Sequence, residues 1–264
     1  MKYRLIALDL DHTLLREDGS VGERTRRAIL AAQSKGAFVI LNSGRMLGAT
    51  VPVARDLGII APIVCAGGAA IYGSDLTPLK TENIDPGTAC AVVALAAEHG
   101  ISSQVYIGSE VWYQQDSDAI EAYKKQFGFK TRLVPDLMHK DGIVTQKVLM
   151  LKDVESIDAV APIARSMFPD LNIAKSRPNF LEFTKKGVTK ATGLAFLGEH
   201  LGIDKSEMIA VGDNEIDESM IGYAGLGCAV KNALDSTKAI ASYISGSNDE
   251  DGVAEIIEKF ILGE

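Results

Sequence analysis

Four short apolar runs in this chain each stop at a turn of polar or glycine-rich sequence, and that recurrence narrows the folds open to it. Leu5-Ile6-Ala7-Leu8 meets Asp9-Leu10-Asp11-His12-Thr13, and Ala37 to Leu41 meets Asn42-Ser43-Gly44-Arg45. Pro62 to Cys65 meets Ala66-Gly67-Gly68-Ala69, and Met208 to Val211 meets Gly212-Asp213-Asn214-Glu215-Ile216-Asp217. An apolar run this short reads as a strand buried on both faces. Between the first two, Glu23 to Lys35 reads as a helix, with Ala28, Ile29 and Ala32 on one side and Gly36 as its stop. The order β-α-β-α-β predicts an α/β fold, a Rossmann-like parallel sheet covered by helices. In such a sheet ligands bind beyond the carboxyl ends of the strands, which is where these turns fall.

Carboxylates beside a core are costly unless they are paired or hold a metal. One of Asp9 and Asp11 suits a nucleophile and the other a proton carrier. The plainer alternative is that Asp11 or Thr13 caps the next helix. After the second strand, small residues let backbone N–H groups approach an anion and Ser43 adds a hydroxyl donor, although a Ser-Gly pair alone is commonly just a turn. Lys190 falls in the first turn of a helix read from Val188 to Leu201 and ended by Gly202. The helix dipole disfavours a cation there. The placement makes sense if lysine and helix terminus face one anion; otherwise Lys190 is a solvated surface lysine. Asp9, Asp11, Asp213 and Asp217 would repel one another without a cation among them. Oxygen ligands without histidine or cysteine select a hard ion, with Mg²⁺ the usual one where phosphate is handled. Ser43 and Lys190 are matching donors for phosphate oxygens.

The pattern changes near Lys80. Helices read from Ala89 to His99, Asp116 to Phe127 and Val154 to Met167 adjoin two hairpins, one turning at Gly108-Ser109 and one at Arg177-Pro178-Asn179. That is the signature of a separate α+β domain set into the first. The expected division is a core of 1–81 and 187–264 with an insert of 82–186. Trp112 and Tyr113 are expected to pack the insert's sheet, not a ligand. Gly222 to Gly227 lacks the strand-then-helix order of a dinucleotide site and reads as a loop.

At 264 residues there is room for both domains, and 47% apolar with 23% charged residues is an ordinary globular balance. A formal charge of −8 and a pI near 5.1 argue against nucleic acid as a partner. The longest apolar run, Ala89 to Ala97, is too short to span a bilayer, and Asp9 and Asp11 break the N-terminal run too early for a signal peptide. Three scattered cysteines and four isolated histidines show no zinc spacing and no disulfide framework. The expectation is a soluble cytoplasmic protein, with its oligomeric state left open.

The set Asp9-Leu10-Asp11-His12-Thr13, Leu41-Asn42-Ser43-Gly44-Arg45, Lys190 and Gly212-Asp213-Asn214-Glu215-Ile216-Asp217 resembles the motifs of the haloacid dehalogenase superfamily of phosphatases. The insert, and the tail from Ser247 to Ala254, look like its Cof-type branch, which carries an α/β cap. The resemblance implies that Asp9 is the nucleophile that becomes an aspartyl-phosphate. Asp11 would protonate the leaving alcohol and then activate water. Mg²⁺ would be held by Asp9, the Asp11 carbonyl and Asp213, with Asp217 supporting the metal shell. Ser43, Lys190 and the backbone N–H groups near Leu10 and Gly44 would hold the phosphoryl oxygens. The implied activity is Mg²⁺-dependent hydrolysis of small phosphorylated metabolites, sugar phosphates first, beneath a hinged lid. A phosphomutase of the same superfamily and a non-catalytic phosphate binder are the alternatives.

Four positions depart from the branch's usual pattern. His12 and Ala191 stand where glycine is usual, and Gly67 and Ile216 where asparagine is usual. Ile216 replaces a polar group expected to face phosphate. His12 is by default a surface histidine; the alternative is that it supplies the missing donor from the facing loop.

Overall fold

The computed structural model describes residues 2–108, 110–127 and 130–264, without the side chains of residues 126 and 127. The chain opens with β1 (Leu5–Leu8), α1 (Glu23–Ser34), β2 (Phe38–Asn42), α2 (Leu47–Asp56), β3 (Ile63–Cys65), β4 (Ala70–Tyr72) and β5 (Pro78–Thr81). It continues with α3 (Pro86–Glu98), β6 (Ser102–Ile107), β7 (Glu110–Tyr113), α4 (Asp118–Phe127), β8 (Lys130–Leu133), β9 (Val148–Leu151), α5 (Val154–Met167), β10 (Leu171–Arg177) and β11 (Phe180–Lys185). It closes with α6 (Lys190–Leu201), β12 (Met208–Gly212), α7 (Glu215–Tyr223), β13 (Leu226–Ala229), α8 (Asp235–Ile240), β14 (Tyr243–Ile244) and α9 (Gly252–Ile257). Two compact units result. One comprises Met1–Arg45, Thr50–Lys80 and Thr189–Glu264; the other comprises Met46–Ala49 and Thr81–Val188.

The first unit is built on an eight-stranded sheet of order β14-β13-β12-β1-β2-β3-β4-β5. From β14 to β3 all pairings are parallel, and β4 turns back antiparallel on β3. All four residues of β1 are fully buried, as the unbroken apolar run requires. β1 lies between β2 and β12, with Leu5 level with both Phe38 and Met208. The chain thus leaves β1 on one side and returns on the other, which opens a crevice at its carboxyl end. The fold class is the expected one. β4 and β5 extend the sheet beyond the expected strands; three or four residues are too few for a periodic signal.

Helix α1 buries Ala28, Ile29 and Ala32, the face read from the sequence. Helix α6 begins at Lys190, two residues later than expected. Its N-cap is Thr189, whose hydroxyl accepts from Thr192 N at 3.3 Å, and Gly202 closes it in the left-handed conformation. Gly222 to Gly227, expected as a loop, supplies the end of α7 and the start of β13.

The second unit has a six-stranded sheet of order β10-β11-β9-β6-β7-β8, antiparallel except for β7 with β8. One face carries Val105, Val148, Met150, Leu181 and Phe183, which join Val92 of α3 and Ile157 of α5 in one core. Trp112 packs against that core and Tyr113 is buried. The hairpin of β6 and β7 forms with Ile107 opposite Glu110; Ser109 of the expected turn lies outside the described residues. The hairpin at Arg177-Pro178-Asn179 joins β10 and β11. Among the described residues no helix is long and apolar enough to cross a membrane.

The turn after β3 bears directly on α6. Gly68 sits at φ +106°, and a Cβ there would lie 2.1 Å from the carbonyl oxygen of Thr189. Only a residue without a side chain lets the start of α6 approach this closely. Gly68→Ala is therefore expected to destabilise the fold by about 3 kcal/mol, from backbone strain and overpacking together. Urea unfolding of the purified variant checks this, and a loss below about 1 kcal/mol would mean the turn yields easily.

Candidate active site

The residues gathered at the carboxyl end of β1 come from four distant parts of the chain. Asp9 directly follows β1, with its N–H donating to Val211 O at 3.0 Å, and the residue is 4% exposed. Lys190 is the first residue of α6 and is 1% exposed. Its ammonium reaches Asp9 Oδ1 and Asp217 Oδ1, both at 2.5 Å. A surface position for this lysine is thereby excluded.

Asp213 follows β12 and accepts from Thr13 Oγ1 at 2.7 Å. Thr13 therefore holds Asp213 and does not cap a helix. Asp217 is fully buried on α7, and its Oδ2 accepts from the N–H groups of Asp213 at 3.0 Å and Asn214 at 3.2 Å. Asn214 caps α7, accepting from Ile216 N at 3.2 Å. Oxygens of Asp9, Asp213 and Asp217 lie within 4.8 Å of one another.

Asp11 turns to Arg45, which donates to it through Nε at 2.8 Å and Nη2 at 2.9 Å. This is the bidentate fork in which guanidinium and carboxylate match best. Arg45 N also donates to Ser43 Oγ at 3.1 Å, so the Ser43 hydroxyl keeps its proton to give elsewhere. Ser43 is buried and tied to the next turn, its carbonyl accepting from Gly67 N at 3.1 Å. Leu10 opens the turn beyond Asp9, and Gly44 lies between Ser43 and Arg45.

Burial dominates the ionisation of the cluster. It pushes Asp9 well above the usual carboxylate range, with Asp217 adding to the shift and Lys190 opposing it. Asp213 is pushed up to about 6 by burial and then by Asp217. For Lys190 burial works against the charge, but Asp217 and Asp9 outweigh it and hold the ammonium protonated.

The sequence does not single out Asn42, Arg45 or Asn214, and it offers Thr13 only as a helix cap. Arg45 and Asn42 flank Ser43 and Gly44 in the turn after β2, but nothing in their spacing shows that their side chains fold back toward Asp11 and Lys190. Asn214 carried a usable signal, an Asn-x-x-Asp capping pattern ahead of a helix.

The sequence profile of the haloacid dehalogenase-like hydrolases matches residues 6–257. The chain belongs to this family. Among its relatives, the 5-amino-6-(5-phospho-D-ribitylamino)uracil phosphatase YcsE of Bacillus subtilis is 28% identical over 262 residues, covering 98% of this chain and 96% of that one. A haloacid dehalogenase-like hydrolase from Bacteroides thetaiotaomicron superposes with a TM-score of 0.86 at 30% identity, covering 97% of this chain and 99% of the other. The subclass IIB sugar phosphatase BT4131 superposes with a TM-score of 0.85 over 97% and 98% of the two chains; at 24% identity it shows the fold alone. The haloacid dehalogenase-like fold is thus shared along almost the whole chain.

Two departures from the family pattern meet in space. The Ile216 Cδ1 lies 3.4 Å from where a Cβ on Gly67 would sit. The isoleucine occupies room that a larger residue at 67 would claim. His12 takes no part: its Nδ1 pairs with Glu17 Oε1 at 3.0 Å, at the surface. Compensation by His12 is not what this loop does. Restoring a polar group with Ile216→Asn is then expected to raise kcat/KM about tenfold, the worth of one hydrogen bond to a charged group. Steady-state kinetics on a phosphate ester checks it; an unchanged value would mean that position 216 does not face the phosphate.

The metal-free cluster also sets a pH dependence. A carboxyl raised in the folded state stabilises the fold below its unfolded pKa, and that contribution is lost as pH rises through the folded value. Asp213, at about 6, and Asp9, raised by burial and by Asp217, both act this way. The metal-free protein is expected to lose thermal stability between roughly pH 4 and pH 6, as pH passes from the unfolded to the folded value of Asp213. Thermal melts across that range check it. A metal-free Tm that rises over the same interval would contradict the shifts.

Proposed function

We propose that this hydrolase is a Mg²⁺-dependent phosphatase of small phosphorylated metabolites, working through an aspartyl-phosphate on Asp9. The observation that carries the reading is the buried bridge of Lys190 between Asp9 and Asp217, beside Asp213, at the mouth of the crevice. The donor set fits a hard divalent ion: three buried carboxylates, with no histidine or sulfur among them. Asp9, the Asp11 carbonyl and Asp213 would hold Mg²⁺, and Asp217, whose oxygens already accept three hydrogen bonds, would orient the shell. When bound, Mg²⁺ supplies charge neutralisation between the nucleophile and the phosphoryl group.

In the first step an Asp9 oxygen attacks phosphorus, the bond to the ester oxygen breaks, and Asp11 gives that oxygen a proton. In the second, Asp11 takes a proton from water as the water attacks phosphorus, releasing phosphate and restoring Asp9. Lys190 fixes the orientation of Asp9 and offers positive charge to the phosphoryl oxygens, with Ser43 and the N–H groups of Leu10 and Gly44 as further donors. Arg45 holds Asp11 and must yield it for either proton transfer. The insert, 82–186, is taken as the cap that discriminates between leaving groups. Sugar-like substrates are favoured because the name of a relative specifies a phosphoribityl compound.

A panel of phosphate esters assayed with and without Mg²⁺ tests the reading, with Asp9→Asn as control. The variant keeps its shape but loses the nucleophile, so turnover is expected to fall at least about 10³-fold with the melting temperature unchanged or higher. Hydrolysis of p-nitrophenyl phosphate by Asp9→Asn at the parent rate would show that the assigned site is wrong.

A further inference from the structure

Strand β2 runs apolar through Val39, Ile40 and Leu41, all fully buried, and then ends on a buried amide. Asn42 is 0% exposed. Its Nδ2 donates to the backbone carbonyl of Lys190 at 3.0 Å, across 148 residues of sequence. Its Oδ1 is buried with no hydrogen-bond partner among the described residues. A buried acceptor left unpaired works against folding, and an apolar residue of the same shape would serve the fold better. The amide's one bond goes to the residue whose side chain bridges Asp9 and Asp217.

We infer that Asn42 is a positioning residue: it fixes the backbone of Lys190 so that the ammonium reaches Asp9 and Asp217 together. A backbone carbonyl has two lone pairs, so this bond adds to the helix's own at the first turn of α6. Gly68 seats the preceding residue, Thr189, by close packing, which sets how near α6 lies but not its rotation about its own axis. The Asn42 bond supplies that second constraint. Lys190 sits at N1, where the chain is only beginning its helical hydrogen bonding, so a small rotation there would swing a long side chain away from one carboxylate. The inference rests on the reading of Lys190 as a phosphate-site residue.

The experiment compares the parent, Asn42→Leu, Lys190→Ala and the double variant. It measures the affinity for inorganic phosphate by calorimetry in Mg²⁺, the melting temperature of each, and kcat and KM on p-nitrophenyl phosphate for the parent and Asn42→Leu. Asn42→Leu keeps the shape and removes both the donor and the unpaired acceptor. The expected result is a melting temperature equal to or above the parent's, with kcat and phosphate affinity each down about tenfold, as for a catalytic group displaced by a fraction of an ångström. In the Lys190→Ala background the same change should cost no further phosphate affinity, because the group it positions is gone. Asn42→Ala, which removes the donor without adding bulk, gives the same kinetic split should the leucine variant fail to fold. Parent-like kcat and phosphate affinity in Asn42→Leu would overturn the inference, as would an equal loss of affinity in both backgrounds. A parent that neither binds phosphate nor hydrolyses the ester would instead overturn the reading of the site on which the inference rests.

Discussion

Everything at the crevice depends on one ammonium held between two carboxylates out of water. Lys190, Asp9 and Asp217 are each at most 4% exposed. Each charge taken from water alone would cost several kcal/mol, so the three are tolerable only in contact. This makes the cluster a constraint on the fold as much as a candidate site. Asp9 can be placed at the end of a fully buried strand only if α6 delivers Lys190 to it. Asp217 can be fully buried on α7 only because Lys190 and two backbone N–H groups satisfy its oxygens. Truncating the lysine would leave two facing carboxylates uncompensated, and removal of one partner from such a set is far more damaging than the set's net worth.

The sheet order explains how residues nine, 190, 213 and 217 come to share one point. A parallel strand needs a crossover, and each crossover returns the chain to the same end of the sheet. Carboxyl ends of β1, β2, β3 and β12 therefore lie side by side, whatever the sequence distance between them. The long insert between β5 and α6 does not disturb this. It leaves after the β3–β5 segment and comes back at Thr189, so that α6 starts at the end of the sheet where Asp9 emerges.

This logic is why much of the site could be read before any coordinates. Apolar runs that stop at polar turns are a local signal, and topology converts a local signal into a shared location. Asp9, Asp213 and Asp217 were legible in that way, and Lys190 half so, since a lysine at N1 invites two readings. The direction of a side chain beyond its turn is another matter. Asp11 and Arg45 stand 34 residues apart, and their fork depends on a turn at Leu10–Leu14 with His12 in the left-handed region. No spacing rule reports that. Asn42 was hidden for a different reason, because an amide at the end of an apolar strand reads as the start of a turn and not as a buried donor. The strands β4, β5 and β8 escaped because they are short; β8, Lys-Thr-Arg-Leu, is also largely polar, and its pairing with β7 is set by the tertiary fold.

A comparison of the two buried lysines shows what the active-site cluster lacks. In the second unit Lys147 meets Glu182 at 3.1 Å, with the two side chains 3% and 7% exposed. That contact sets one positive charge against one negative. In the first unit Asp11 pairs with Arg45. The remaining group is different: Asp9, Asp213 and Asp217 face a single ammonium, which leaves two negative charges if all three carboxylates are ionised. The fold meets that excess at low pH by holding protons, which is what the raised Asp9 and Asp213 express. At neutral pH a proton is a poor counter-charge, since it would neutralise the proposed nucleophile. A divalent cation supplies the two missing charges while leaving Asp9 ionised, and a monovalent one would fall short by one. The charge count therefore supports the proposed Mg²⁺ independently of any motif.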